Sequence, residues 1–163
     1  MKRKEKELAR RYGKLAESME PYYRHLDLRP LSELDDDTFA FIMAKVKGVN
    51  MLDLSEASIT SKSIQLLTQL EYVNELRIKD CESLDDSCIE FLNQLTALTF
   101  LQLKSTSITT EGILNLRLTQ LKELQFSAAA NDNLNEKMKQ LKQNLPGCSF
   151  IVNSKPWIFD EIN

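Results

Sequence analysis

Val49-Asn-Met-Leu-Asp-Leu-Ser-Glu-Ala57 decides how the rest of the chain is read, because its pattern returns twice. Val73-Asn-Glu-Leu-Arg-Ile-Lys-Asp-Cys81 and Leu98-Thr-Phe-Leu-Gln-Leu-Lys-Ser-Thr106 place apolar residues at the same three positions. Alternation of apolar and polar side chains predicts a strand buried on one side. The small residue that closes each copy predicts a turn.

Taking the middle apolar residue of each copy as a marker extends the series in both directions. Leu26, Leu52, Leu76, Leu101, Leu124 and Cys148 follow at intervals of 26, 24, 25, 23 and 24 residues. Leu34 and Leu84 fall one place later in their copies than Ile59 and Ile108, so an extra turn residue accounts for the longer intervals. Six units are expected. Between the strand phrases, apolar residues recur at helical spacing: Ile64, Leu67 and Leu70; Ile89, Leu92 and Leu95; Ile113 and Leu116; Met138, Leu141 and Leu145. Thr60, Asp85 and Thr109 stand where a helix start needs an acceptor, Asp36-Asp37-Thr38 precedes Phe39, Ile42 and Val46, and Asn133 with Glu136 reads as a capping box. A strand-turn-helix unit cannot bury its apolar side alone, and stacking of units solves that.

The flanks read as covers for the ends of such a stack. Residues 1–24 form a predicted helix with Leu8, Tyr12, Leu15, Met19 and Tyr22 on one stripe, ended by Pro21. Seven of its first fourteen residues are basic, against Glu5 and Glu7, which opposes the helix dipole and predicts a frayed first turn. The basic charge suits a solvated face or, less economically, an arm for a nucleic acid or an acidic surface. Residues 25–153 hold the repeats. Residues 154–163, with the single tryptophan Trp157, are expected to fold back over the last open face.

Composition narrows the function classes. The 163 residues suffice for one domain; 21 basic against 24 acidic side chains give a net charge of −3, unlike a dedicated nucleic-acid binder. Cys81, Cys88 and Cys148 are odd in number and lack C-x-x-C spacing, which argues against a disulfide framework or a zinc site and for a reducing compartment. No apolar run is long enough to span a bilayer, and the charged N-terminus is no signal peptide, so a cytoplasmic monomer is the expectation. His25 is the only histidine, no glycine-rich phosphate loop occurs, and Asp35-Asp36-Asp37 and Asp85-Asp86 lack the offsets and glycine of a calcium loop. No catalytic residue, cofactor or metal is expected, and the chain reads as non-enzymatic.

Ser58-Ile-Thr-Ser-Lys-Ser-Ile-Gln-Leu-Leu67 and Ser107-Ile-Thr-Thr-Glu-Gly-Ile-Leu-Asn-Leu116 resemble the I-T-D-x-G-[IL]-x-x-L phrase of leucine-rich repeats of the ribonuclease-inhibitor-like and cysteine-containing class. Leu145-Pro-Gly-Cys148 is similar to the L-P-x-C ending of short bacterial repeat proteins of this kind. The resemblance covers residues 49–153 and, more weakly, 23–48. It implies an α/β solenoid, a right-handed β-α superhelix with a parallel concave sheet of about six short strands and convex helices. It also implies a protein-protein interaction scaffold. The family's Cys or Asn position is filled here by Leu31, Ala57, Cys81, Thr106, Ala129 and Asn153; only Cys81 and Asn153 match, so an incomplete ladder of turn hydrogen bonds is expected. No F-box precedes the repeats, so the resemblance carries no ubiquitin-ligase adaptor role. A narrower stretch, Glu71-Tyr-Val-Asn-Glu-Leu-Arg-Ile-Lys-Asp-Cys81 with Leu84-Asp-Asp-Ser-Cys88, resembles the ATP synthase coupling factor B (subunit s) family. That family implies an alternative, a structural or assembly subunit associated with a respiratory complex.

Residues between the buried leucines are expected to line the concave side in three columns. The first holds His25, Met51, Glu75, Phe100 and Glu123; the second Asp27, Asp53, Arg77, Gln102 and Gln125; the third Arg29, Ser55, Lys79, Lys104 and Ser127. The candidate partner-binding set is Met51, Asp53, Glu75, Arg77, Lys79, Phe100, Gln102 and Lys104. Exposed Phe100 and Met51 with Arg77, Lys79 and Lys104 around them have the composition of an interaction hot spot.

Overall fold

Alternating strands and helices build an α/β protein around one seven-stranded, mostly parallel sheet, described here for residues 2–130 and 133–160 of a computed structural model. The elements run α1 (Arg3–Ser18), β1 (Tyr22–Asp27), α2 (Asp36–Ile42), β2 (Gly48–Asp53), α3 (Ser61–Leu67), β3 (Tyr72–Asp85), α4 (Ile89–Leu92), β4 (Phe100–Ser107), α5 (Thr110–Ile113), β5 (Glu123–Phe126), α6 (Leu134–Asn144), β6 (Ser149–Val152) and β7 (Lys155–Pro156). Strand order in space follows order in sequence. The strands β1 to β6 are parallel, and β7 turns back antiparallel on β6. No helix among the described residues is long and apolar enough to cross a membrane.

The buried markers line up. Leu26, Leu52, Leu76, Leu101 and Leu124 are register partners across five strands, and all are buried. Ile64, Leu67, Leu92, Ile113, Met138 and Leu141 of the helices close the same apolar core. The last marker is corrected: Phe150, not Cys148, is the partner of Leu124, so the final interval is 26 residues. Its unit carries the longest of the helices after α1, and the strand begins later; Cys148 and Phe150 point the same way and both are buried, which hides the slip from an apolar pattern. Asn153 therefore stands three residues past its marker, where Ala57 and Cys81 stand five past theirs.

The N-terminal expectation is also corrected. The helix α1 stops at Ser18, before Pro21, and Tyr22 and Tyr23 belong to β1. Tyr22 is exposed and stacks on Tyr72, ring centroids 6.4 Å apart, so its apolar character serves a cross-strand contact and not a helix stripe. The helix α1 begins at Arg3 without losing its first turn, because the Glu5 carboxylate accepts the Lys2 N–H at 2.8 Å. Tyr12 and Met19 are buried, and the Tyr12 hydroxyl donates to the Ser32 carbonyl at 3.2 Å.

Helix starts follow the expected residues at Thr60, Asp85 and Thr109, whereas at α2 the cap is Asp35, one place before the expected Asp36-Asp37-Thr38. Asp35, Thr60, Asp85 and Thr109 accept from the amides of Thr38, Lys62, Ser87 and Gly112. Asn133 makes no such bond, so the capping box expected at α6 is absent. The left-handed turn positions among the described residues are filled without glycine: Glu56, Asp80, Ser105 and Ser154, each four residues past a buried marker, adopt positive φ of 65°, 57°, 51° and 67°. In the first unit that place is Pro30, whose ring forbids it, and the left-handed residue is Glu33 at 59°. The extra turn residues of the Leu76 unit appear as a register slip between Cys81 and Asp85, where β3 carries three residues that β4 lacks.

Candidate functional site

The site is the side of β1 to β5 away from the apolar core, where alternate residues of each strand meet their partners. His25, Met51, Glu75, Phe100 and Glu123 form one row of register partners; Asp27, Asp53, Arg77, Gln102 and Gln125 form the next. Lys79 and Lys104 are partners in the third. The structure thus brings all eight candidate residues onto three adjacent strands. Parallel neighbours lie about 4.8 Å apart, so each side chain is within reach of the next strand.

Phe100 and Met51 are half-buried rather than exposed, and the cause is visible for Phe100. The Arg77 guanidinium lies over its ring, 5.1 Å from the centroid, and Glu75 sits 3.8 Å from the same guanidinium. Arg77 Nε is buried and makes no hydrogen bond among the described residues. Asp53 departs further from expectation. It is buried, accepts the Ser55 amide at 2.9 Å and faces Arg29 Nε at 3.5 Å, so its carboxylate is spent on holding a turn. Asp27 is similarly held: the hydrogen-bonded Arg29 side chain lowers its carboxyl to about 2, against a smaller opposing effect of burial.

The far end of the face is a polar chain. Gln102 Nε2 donates to Gln125 Oε1 at 2.9 Å, and Gln125 Nε2 donates to Glu123 Oε1 at 2.7 Å. Lys104 Nζ reaches the Ser154 hydroxyl at 2.7 Å, while Lys79 faces Asp80 at 3.7 Å. The Ser154 contact spans fifty positions of sequence and had no local signal; Gln125 and Glu123 were in the expected columns. What the arrangement offers is an apolar-cationic centre, Met51, Phe100 and Arg77, inside a rim whose polar groups already satisfy one another.

The acidic runs have structural jobs. In Asp35-Asp36-Asp37 the first caps α2, the second binds the backbone and hydroxyl of Thr60 and the hydroxyl of Ser63, and the third pairs with Lys4. The three thiols are buried; burial pushes Cys88 and Cys148 up to about 12 and raises Cys81 as well. Cys81 Sγ donates to the Leu54 carbonyl at 3.3 Å, and Asn153 brackets the Ala128 backbone with both ends of its amide. A second concavity of about 620 Å³ lies between α6 and the chain end, lined by Lys139, Lys142, Trp157, Ile158 and Phe159. There the chain does fold back: Trp157 N–H donates to the Phe150 carbonyl at 2.8 Å, and Phe159 packs edge-on against Phe150. No family model matches the chain, and no curated protein matches it.

Proposed function

We propose that this chain is a leucine-rich-repeat solenoid acting as a non-enzymatic scaffold that binds a protein partner through its sheet. The repeat reading is supported by the coincidence of the sequence template with strand register over five strands. The binding reading is carried by one observation: the half-exposed Arg77 guanidinium lies on Phe100, on a side of the sheet where the glutamines and lysines are held in internal polar contacts. An aromatic and an arginine at the middle of a polar rim are the residue types that dominate binding energy at interfaces. A partner that supplies an acceptor to the exposed end of the Arg77 guanidinium and covers Phe100 gains both contacts.

The test is affinity capture from native extract with the intact chain and with Phe100→Ala/Arg77→Ala. The double variant is expected to lose the captured partner while its melting temperature changes little, since a partly exposed cation–π pair contributes only about 0.5–1 kcal/mol. Unaltered capture rejects this surface. Assembly into a larger complex through the C-terminal end is a second reading, favoured by Ile158, which is 78% exposed beside the α6 groove. In that case capture survives the double variant and fails with Ile158→Ser.

A further inference from the structure

The helix α1 has one side docked and the other side charged. Tyr12 and Met19 are buried, Leu8 and Leu15 pack on the core, and Lys4 and Arg11 on the flank form ion pairs with Asp37 and Glu33. Arg3, Lys6, Arg10 and Lys14 do neither. They are exposed and form no ion pair among the described residues. At 3.6 residues per turn their spacings of three, four and four place them within roughly 80° of arc, opposite the buried stripe, over about 16 Å of helix. Glu17, also exposed, continues the same line one turn further on. Residues 2–18 carry seven basic and three acidic side chains, a formal +4 in a chain of −3, so the remainder carries −7.

We infer that this stripe is a second contact surface and that it takes an acidic helical segment of a protein partner. The geometry favours that occupant over other polyanions. The cations run in single file at the repeat of a helix face, so carboxylates spaced three and four apart on an antiparallel helix meet them one to one. A bilayer or a duplex presents charge broadly, and both would meet the negative remainder of the molecule and Glu17 at the end of the line. The exposed side of α1 also offers no apolar side chain to enter a membrane and no aromatic to stack on a base.

Fluorescence anisotropy of the full chain with a labelled, alanine-based helical peptide tests this. One peptide carries glutamates at i, i+4, i+8 and i+11 and a lysine at i−3; a permuted peptide of equal composition spreads them around the helix. Arg3→Gln/Lys6→Gln/Arg10→Gln/Lys14→Gln keeps good helix formers at exposed positions, and circular dichroism verifies its fold. The aligned peptide is expected to bind more tightly than the permuted one, more weakly as salt rises, and roughly tenfold more weakly to the quadruple variant. Phe100→Ala/Arg77→Ala leaves this binding unchanged, which separates it from the sheet surface. Equal binding of the two peptides, or no loss in the quadruple variant, overturns the inference. So does tighter stripe-dependent binding of phosphatidylserine vesicles or single-stranded RNA.

Discussion

Gly112 and Ser63 occupy one position in two units, three residues after the threonine that caps a helix, and they meet the same carboxylate differently. Ser63 donates to Asp36 at 2.6 Å. Gly112 makes room instead: a Cβ there would stand 2.1 Å from Asp86 Oδ1, whose carboxylate binds the amide and hydroxyl of Thr109. Helix propensity alone favours alanine over glycine by about 1 kcal/mol. The clash reverses that sign, and Gly112→Ala is expected to lower stability in urea by about 1–2 kcal/mol through loss of the Asp86 bonds. In an Asp86→Ala background the same substitution should become neutral or stabilising; equal losses in both backgrounds would remove Asp86 as the cause. The helix-start threonines were legible in sequence, because a capping residue acts over three positions. The role of Asp86 was not, since its partner lies in the next unit.

The first four units interlock as two similar pairs. Asp36 binds Thr60 and Asp86 binds Thr109 through the same two atoms, amide and hydroxyl, and the parallel bridge Asp35–Ser58 has its counterpart in the pairing of Asp85 with Ser107. Among these four, the longer units are those that reach forward with an aspartate; the equally long Leu124 unit owes its length to α6 instead. It also sets a pH dependence. Burial raises the Asp36 carboxyl, but the donors Thr60 and Ser63 outweigh it and hold the group below its ordinary 3.8. A lowered folded-state value gives stability that is complete above the unfolded-state value and is lost as pH falls through the folded-state one. Denaturation midpoints should therefore drop below about pH 4. Asp36→Asn should flatten part of that drop and cost about 1–2 kcal/mol at pH 7. An unchanged acid limb would contradict the assignment. Strand elements were legible wherever apolar residues alternated, the first and last included; what failed at the two ends was the helix boundary and the choice of the last marker. Tyr22 continues the apolar stripe of α1 by coincidence of spacing, and the last marker shifts by two residues without changing which side is apolar.

Across the whole molecule, charge is sorted by location. Cations collect on the outer side of α1, the sheet balances its charges internally, and Met51, Phe100 and Arg77 form the apolar-cationic centre of the sheet's open side. Which residues share that side followed from the period of two, so all eight candidates landed on it. How deeply each sits did not follow, because burial of Asp53 and Phe100 depends on arginines from other positions. The methionines provide reporters of these regions: Met51 on the open sheet, Met19 after α1, Met43 and Met138 in the core beside the helices. Methyl NMR of the ¹³C-methionine-labelled chain, titrated with the partner recovered by affinity capture, is the most direct measurement. The Met51 resonance is expected to shift or broaden while Met43 and Met138 hold still. A partner that moves Met138 and leaves Met51 untouched would contradict binding through the sheet.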